Sequence, residues 1–370
     1  MCAAILAAVG LAVAGCGSSS SSSSTSNNAA GSAKSAAGLQ QAQAYYQAHS
    51  HPPTSLGLPA VTKAIPTGKT VSFVHCGVAA CNRIQSALTK EAPILGWKVA
   101  VVPTTGAPAS VKAGWDTVVR QHPAAAFGSG FNHTLFASEL AQLNSMHVPV
   151  LQWTTEDSVG NGIVFVKGGP SDVLPVVGPE MASWVISSTQ GKANTLYVDL
   201  PTFTILAPVK KGFDSAYAKW CPGCKLDTLA VPLTAIGSTA PSLIVSYLRA
   251  HPDVNRIAIS YDGVAVGLPA ALQSAGLAGK VQFIGESPSE TNLAYVENGT
   301  EAATVASPTY ETWAVFLDAA ARELTGQSLA PDVAWKLPYW IVTKQNFSSG
   351  TGTAPVVPNL YAELKKIWLK

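Results

Sequence analysis

Charged residues are scarce in this sequence: Asp, Glu, Lys and Arg make up 12% of 370 residues, whereas soluble domains typically carry about 25%. Long apolar runs are also absent, because none after the first fifteen residues reaches the ~18–20 residues that a bilayer span needs. The sequence therefore excludes a multispan membrane protein. The net charge is only +2, from 23 basic and 21 acidic residues. Nucleic acid is disfavoured as a partner, because its phosphate backbone attracts a dense basic surface.

Motifs for common enzymes and cofactors are missing as well. The sequence has no Gly-x-Ser-x-Gly turn and no His-Glu-x-x-His helix. Gly68-Lys69-Thr70 precedes a predicted strand, whereas a phosphate-binding loop follows one. After Gly128-Ser129-Gly130, His133 occupies the place of the third glycine in a dinucleotide-binding loop. We therefore expect no catalytic residues, no cofactor and no metal site.

The N-terminal residues of the sequence indicate export. Ala3 to Gly15 form an apolar run of the length found in signal peptides. The run ends in Val13-Ala14-Gly15-Cys16, which resembles the bacterial lipobox and implies a lipid anchor on Cys16. A plain secretory peptide and a packed terminal helix are the alternatives. Gly17 and the seven serines after it predict a flexible tether, because such residues bury little apolar surface.

The other cysteines, apart from Cys2, form two close pairs. Cys76 with Cys81 and Cys221 with Cys224 predict two small disulfide loops in an oxidising compartment. Trp220-Cys221-Pro222-Gly223-Cys224 also resembles the motif of thioredoxin-like oxidoreductases. This pair follows a predicted helix, however, and a redox cysteine needs the positive end at the start of one. A structural disulfide is favoured, while redox activity and metal binding stay open.

From Lys69 onward, short β-branched runs alternate with helical stretches. Ten strand candidates follow one another from Val71–His75 to Ala302–Ala306, and most are separated by a predicted helix. This alternation predicts an α/β fold with doubly wound parallel sheets. Ten strands are too many for one small sheet, and the length favours about two domains. We therefore expect two similar lobes with a cleft between them.

Aromatic and polar residues follow the predicted strands, where ligands bind in open α/β sheets. The candidate ligand-binding residues are Asn132, Trp153, Thr154, Glu156, Phe203, Tyr261, Asp262, Glu286, Ser287 and Tyr310. Aromatic rings offer flat faces, and carboxylates and amides bond to hydroxyl groups. The sequence thus predicts binding of a small polar molecule. Structural roles are the alternatives: a core position for Trp153, a solvated turn for Glu156 and a helix cap for Asp262.

From roughly Lys69 to Lys344 the chain resembles the ribose-type periplasmic binding proteins, closely in the second lobe and thinly in the first. The resemblance rests on three successive segments: Ala250-His251-Pro252-Asp253-Val254, Tyr261-Asp262-Gly263-Val264-Ala265-Val266-Gly267 and Val281-Gln282-Phe283-Ile284-Gly285-Glu286. It implies two Rossmann-like lobes, three crossovers and hinge closure over a sugar delivered to an ABC importer. The implied organisation is a signal peptide (1–15), a tether (16–65), lobe 1 (66–168 and 308–335), lobe 2 (169–307 and 336–346) and a C-terminal extension (347–370).

The family's binding residues carry over only in part. Its Asn-Asp pair corresponds to Tyr261-Asp262, its Phe-Asp pair to Glu286-Ser287, its Asp-Arg pair to Thr154-Thr155 and its glutamine to Ser307. Much of the charged pentose cage is missing, which argues against ribose itself and leaves a sugar or polyol as the implied ligand. A receptor that reports its ligand to a membrane signalling partner and a secreted enzyme using the same cleft are the alternative functions.

Overall fold

The structure is a computed structural model that describes residues 23–306, 308–347 and 356–369, with side chains from residue 35 onward. The predicted signal segment 1–15, the predicted lipidation site Cys16 and Ser307 lie outside the described residues. No helix in the described ranges combines the length and the apolar character that a bilayer span requires.

Two separate sheets confirm the predicted α/β fold. The strands are β1 (Thr70–Val74), β2 (Lys98–Val102), β3 (Ala125–Ser129), β4 (Val150–Trp153), β5 (Ile163–Lys167), β6 (Asn194–Asp199), β7 (Lys225–Ala230), β8 (Arg256–Ile259), β9 (Gln282–Glu286), β10 (Ala303–Ala306) and β11 (Trp340–Thr343). The first sheet is parallel, in the order β2-β1-β3-β4-β5. The second has the order β11-β10-β9-β8-β6-β7, and only β11 runs antiparallel to its neighbour. All ten predicted strands are present, and β11 is an addition.

Helices cover the sheets and complete the two lobes. They are α1 (Ser23–Ala48), α2 (Ala80–Glu91), α3 (Pro108–Gln121), α4 (Ala137–Ser145), α5 (Pro170–Val173), α6 (Val177–Ser188), α7 (Leu206–Trp220), α8 (Ala240–Ala250), α9 (Leu268–Ser274), α10 (Glu290–Asn298), α11 (Thr309–Leu324), α12 (Ala330–Ala334) and α13 (Leu360–Trp368). Lobe 1 is built on the first sheet and packs it against α2, α11 and α13, with Phe127, Trp313 and Trp368 in its core. Lobe 2 is built on the second sheet and packs it against α6, α7 and α8.

The chain crosses between the lobes on one side. It passes to lobe 2 after β5, returns between β10 and α11, and crosses again between α12 and β11. Lys167 at the end of β5 holds two of these crossings together, because its ammonium donates to the carbonyls of Val333 and Trp335 at 2.9 and 2.7 Å. These three crossings match the number that the resemblance implied.

The segment expected to be a flexible tether is largely folded. Helix α1 lies on α6 and α7 of lobe 2, where Ala42 is fully buried. Gly38 permits the close approach, since a Cβ there would lie 2.2 Å from the backbone oxygen of Trp220. Alanine favours helix formation, and packing on lobe 2 stabilises the helix further. The tether prediction for 16–65 is therefore wrong for these residues.

After α1 the chain crosses to lobe 1. At the end of α1, the carbonyl of His49 accepts a hydrogen bond from the backbone N–H of Ile341 in lobe 2 at 2.7 Å. Farther along, the backbone N–H of Val61 donates to the carbonyl of Ile367 in lobe 1 at 2.9 Å. Buried Arg322 fixes this crossing on lobe 1 by donating to the carbonyl of Pro59 at 2.6 Å. The N-terminal segment thus adds a fourth link between the lobes.

Candidate functional site

A cavity of about 90 Å³ lies between the lobes, where the C-terminal ends of both parallel sheets face each other. It is smaller than the ~300–1,000 Å³ of a typical small-molecule pocket. Its lining residues come from both lobes: Cys76, Val78, Ala80, Cys81, Ile84, Ser129, Gly130, Trp153, Thr154, Phe203, Ile205, Leu206, Tyr261, Glu286 and Ser287. Six of the ten predicted site residues are among them.

The lobe 1 wall consists of the loop after β1 and the ends of β3 and β4. A disulfide joins Cys76 to Cys81 and closes that loop directly against the cavity. Trp153 stands edge-on to Phe316, with ring centroids 6.0 Å apart. Gly168 makes room for the indole, because a Cβ at this position would lie 2.8 Å from the ring. Packing in lobe 1 thus holds Trp153 in place while it lines the cavity.

The lobe 2 wall contains an aromatic pair and a carboxyl group. Phe203 and Tyr261 meet edge to face, with ring centroids 6.2 Å apart. Tyr261 is only 7% exposed, and burial raises the pKa of its hydroxyl. Glu286 is 5% exposed, and burial raises the pKa of its carboxyl to about 8. The Ser287 hydroxyl donates to that carboxyl at 2.7 Å.

Several contacts hold the two lobes together around the cavity. The Arg83 guanidinium of α2 donates to the carbonyl of Pro288 in lobe 2 at 2.8 Å. Ala80 of lobe 1 and Tyr261 of lobe 2 line the cavity from opposite sides. Phe131 of lobe 1 meets Phe203, with centroids 6.3 Å apart. The lobes are therefore closed on the cavity in this structure.

Asn132 and Glu156 lie at the rim of the cleft and do not line the cavity. The Asn132 amide donates to the Glu156 carboxylate at 3.1 Å and accepts from the Glu156 backbone N–H at 2.9 Å. Glu156 also borders an outer groove of about 510 Å³, together with Lys210, Lys211 and Asp214 of lobe 2. The Lys210 ammonium is already paired with Asp214 at 2.7 Å. This groove has mixed charge and opens to solvent.

Asp262 points into lobe 2, so the prediction that it anchors a ligand is wrong. It is fully buried, its carboxyl accepts a hydrogen bond from Thr304, and the buried Glu301 carboxyl interacts with it, which raises the pKa of Glu301 beyond the effect of burial. Gly285 lies directly beneath it, because a Cβ there would lie 1.4 Å from Asp262 Oδ1. Burial raises the pKa of Asp262 to about 7. Asp262 begins a short 3-10 helix (Asp262–Ala265) after β8, and its side chain turns into lobe 2 while Tyr261 lines the cavity.

Tyr310 does not reach the cavity either. It is 1% exposed in α11, and its hydroxyl lies 3.0 Å from both the Ser86 hydroxyl and the Lys90 ammonium of α2. These contacts hold it between two helices of lobe 1. Its prediction as a ligand contact is wrong because its helix turns this position toward α2.

The predicted site does not include the loop after β1 or the start of α2. Val78, Ala80 and Ile84 line the cavity between the two cysteines and just beyond them. The signal was available, since this loop follows the C-terminal end of a parallel strand like the other cavity loops. The two cysteines were interpreted only as a disulfide, which the structure contains, as it does the second pair Cys221–Cys224. That second pair lies at the end of α7, as predicted.

A comparison with known protein families gives one match. Residues 78–328 match the family described as periplasmic binding protein domain, which is about two thirds of the chain. No curated protein is similar enough in sequence to count as a relative.

Solved structures share the fold at low sequence identity. An ABC transporter periplasmic solute-binding protein of Actinobacillus succinogenes with bound D-allose has a TM-score of 0.65 at 16% identity, over 75% of this chain and 98% of its own. A 5-methylthioribose transporter solute-binding protein of Thermotoga lettingae has a TM-score of 0.65 at 16% identity, over 83% and 98%. A periplasmic ribose ABC transporter protein of Conexibacter woesei has a TM-score of 0.61 at 19% identity, over 77% and 95%.

Proposed function

The chain belongs to the periplasmic binding protein domain family, and on that premise we propose that it captures a small polar ligand between its lobes outside the cytoplasm and delivers it to an ABC importer. The observation that supports this proposal is the cavity itself. It lies at the C-terminal ends of two parallel sheets and takes its lining from both lobes. Ligand capture needs this arrangement, because a ligand that touches both lobes favours the closed form over the open one.

The similar structures support a ligand of this kind. One of those proteins binds D-allose and another 5-methylthioribose, so a sugar-like or polyol-like molecule is the first class to test here. The remaining candidate contacts are Trp153, Thr154, Phe203, Tyr261, Glu286 and Ser287. Aromatic faces and hydroxyl groups at these positions suit a small ring.

Anchoring to the membrane is part of the proposal. The lipobox-like Val13-Ala14-Gly15-Cys16 places the lipid on Cys16, a few residues before α1. Because α1 packs on α6 and α7, the anchor would join the protein through lobe 2. Two or more acyl chains hold a protein firmly at a membrane. Globomycin treatment of expressing cells, with mass measurement of the N-terminal peptide, tests the anchor: an unmodified Cys16 in untreated cells would exclude it.

A thermal-shift screen tests the binding function. Sugars, polyols, nucleosides, amino acids and amines should be compared, because a ligand at 100 times its dissociation constant adds about 2.7 kcal/mol of stability. Trp153 lines the cavity, so a true ligand should also change tryptophan fluorescence, and Trp153→Phe should remove most of that change. A ligand recovered intact after incubation supports capture. No stabilisation by any class, or recovery of a converted product, would overturn the proposal.

A further inference from the structure

Few polar groups in the cavity wall are open to a ligand. Most of its lining is apolar, including the Cys76–Cys81 disulfide, Ile84 and Leu206. The Ser287 hydroxyl already donates to Glu286, and the other hydroxyl groups among the described lining residues are those of Ser129, Thr154 and Tyr261. Each ligand hydroxyl that is buried without a partner weakens binding by about 5- to 150-fold. The cavity therefore favours a ligand with few hydroxyl groups.

One carboxyl group lines this apolar cavity without a cation beside it. No Lys, Arg or His is among the described residues that line it. The Ser287 hydroxyl donates to Glu286. The titratable groups that interact electrostatically with Glu286 are the Asp262 carboxyl and the hydroxyls of Tyr197, Tyr261 and Tyr339. None of these groups balances a negative charge. Burial, with a smaller contribution from the Asp262 carboxyl, raises the pKa of Glu286 to about 8.

The Arg83 guanidinium is not among the groups that line the ligand cavity. It borders an adjoining cavity of about 50 Å³ that shares Trp153 and Ser287 with the ligand cavity, and it donates to the Pro288 carbonyl. The carboxylates that interact with it include Glu290 and Glu311. Among the described lining residues, Glu286 is the charged group of the ligand cavity.

Three aromatic rings face the same cavity from both lobes. Trp153 comes from lobe 1, and Phe203 and Tyr261 come from lobe 2. The faces of such rings attract cations, most strongly where water is excluded. A buried carboxyl together with aromatic faces forms a site for a positively charged nitrogen.

We propose that the cleft selects a compact ring-shaped ligand that carries one protonated amine and few hydroxyl groups. The amine bonds to Glu286, and the apolar body packs against the three aromatic rings and the disulfide. This inference rests on the proposed function and names the ligand class of the same site. Both an amino-substituted sugar ring with few hydroxyl groups and a simple cyclic amine belong to this ligand class.

Matched probes test the inference by isothermal titration at pH 7. Cyclohexylamine and cyclohexanol share a ring and differ in the charged group, and D-allose represents a neutral, hydroxyl-rich ring. Cyclohexylamine should bind at least about 10-fold more tightly than cyclohexanol, as expected for a hydrogen bond to a charged group, and more tightly than D-allose. Glu286→Gln should abolish the preference for the amine. Glu297→Gln on the exposed side of α10 removes the same kind of side-chain carboxyl and should leave the preference for the amine unchanged.

A second measurement on the unmodified protein covers the case in which Glu286→Gln does not fold. Titration in buffers of different ionisation enthalpy should show about one proton released per cyclohexylamine bound, because Glu286 must ionise to pair with the amine. Cyclohexanol should release none. Equal affinity for the two rings, tighter binding of D-allose, or no binding of any of the three would overturn the inference. The proposed function would survive each of these results as long as another class in the thermal-shift screen closes the cleft.

Discussion

Thr204 and Glu156 join the two lobes at the mouth of the cleft: the Thr204 hydroxyl donates to the Glu156 carboxylate at 2.7 Å. Asn132 holds the same carboxylate from within lobe 1, at 3.1 Å. Glu156 and Asn132 were predicted as ligand contacts, but the structure gives them a different arrangement. They form a latch that links lobe 1 to the turn after β6 in lobe 2.

Thr204→Val should weaken the latch without changing the shape of the side chain. Losing this hydrogen bond should destabilise the closed form by about 0.5–1.5 kcal/mol at most, which is a 2- to 10-fold shift toward the open form. Because Glu156 is exposed, we expect a shift near the lower end of that range. Distances between spin labels on the two lobes, measured without ligand, report the open fraction. Thr202→Val on the same exposed turn is the control. An unchanged distance distribution in Thr204→Val would show that the latch does not hold the lobes closed.

Asp262→Ala should destabilise the protein. The substitution leaves the buried Thr304 hydroxyl without its partner, and a buried polar group without a partner costs about 1–3 kcal/mol. Urea denaturation of the ligand-free protein should show this loss, and Asp262→Asn should lose less because it still accepts from Thr304. Full stability of Asp262→Ala combined with weak ligand binding would instead return Asp262 to the binding site.

The stability of the ligand-free protein should fall as the pH rises. Burial raises the pKa of Asp262 to about 7 and those of Glu286 and Asp332 to about 8, from ordinary values of 3.8, 4.5 and 3.8. The folded chain therefore binds these protons more tightly than the unfolded chain does. The contribution of these protons to the free energy of unfolding is complete below about pH 4. It is lost as the pH rises through about 8, at up to ~1.4 kcal/mol per pH unit for each group.

Urea unfolding between pH 5 and pH 8.5 measures this dependence. Glu286→Gln should make the decline less steep, because one of the three groups no longer titrates, while Glu297→Gln should leave the slope unchanged. A free energy of unfolding that is constant or rises over this range would contradict the assignment of raised pKa values.

The sheets and much of the cavity follow from local sequence. Most strands are short runs rich in β-branched residues between turns, and all ten predicted strands are present. The rule that ligands bind beyond strand ends then places Trp153, Phe203, Tyr261 and Glu286 in the cavity wall. The rule does not fix which way a side chain points after the strand has ended. Asp262 begins a 3-10 helix and bonds to Thr304 of β10, a tertiary contact that no local pattern specifies.

The N-terminal helix shows a different limit. Residues 35–48 are rich in alanine and glutamine, a composition that fits either a soluble tether or a helix lying on a surface. Only tertiary contacts distinguish the two, such as the burial of Ala42 and the close approach of Gly38 to Trp220. Those contacts depend on the shape of lobe 2, which no local pattern in the N-terminal segment specifies.

The two disulfides should differ in their effect on binding. Each closes a short loop, so replacing both cysteines of a pair by serine should cost about 2 kcal/mol of stability through the freedom gained by the unfolded chain. Cys76–Cys81 also constrains the loop that lines the cavity. Val78 and Ala80 lie between the two cysteines and line the cavity. Removal of this disulfide should therefore loosen the cavity wall and weaken ligand binding as well as stability.

Cys221–Cys224 is the natural control, because it lies at the end of α7 and does not line the cavity. Cys221→Ser/Cys224→Ser should lower the melting temperature and leave ligand affinity within about twofold. Cys76→Ser/Cys81→Ser should reduce affinity for the best ligand of the thermal-shift screen by about 3- to 10-fold, the loss expected when one contact worth a hydrogen bond between the ligand and this wall is weakened. Equal affinities in the two double variants would mean that α2 and its neighbours hold the cavity loop in place without the disulfide.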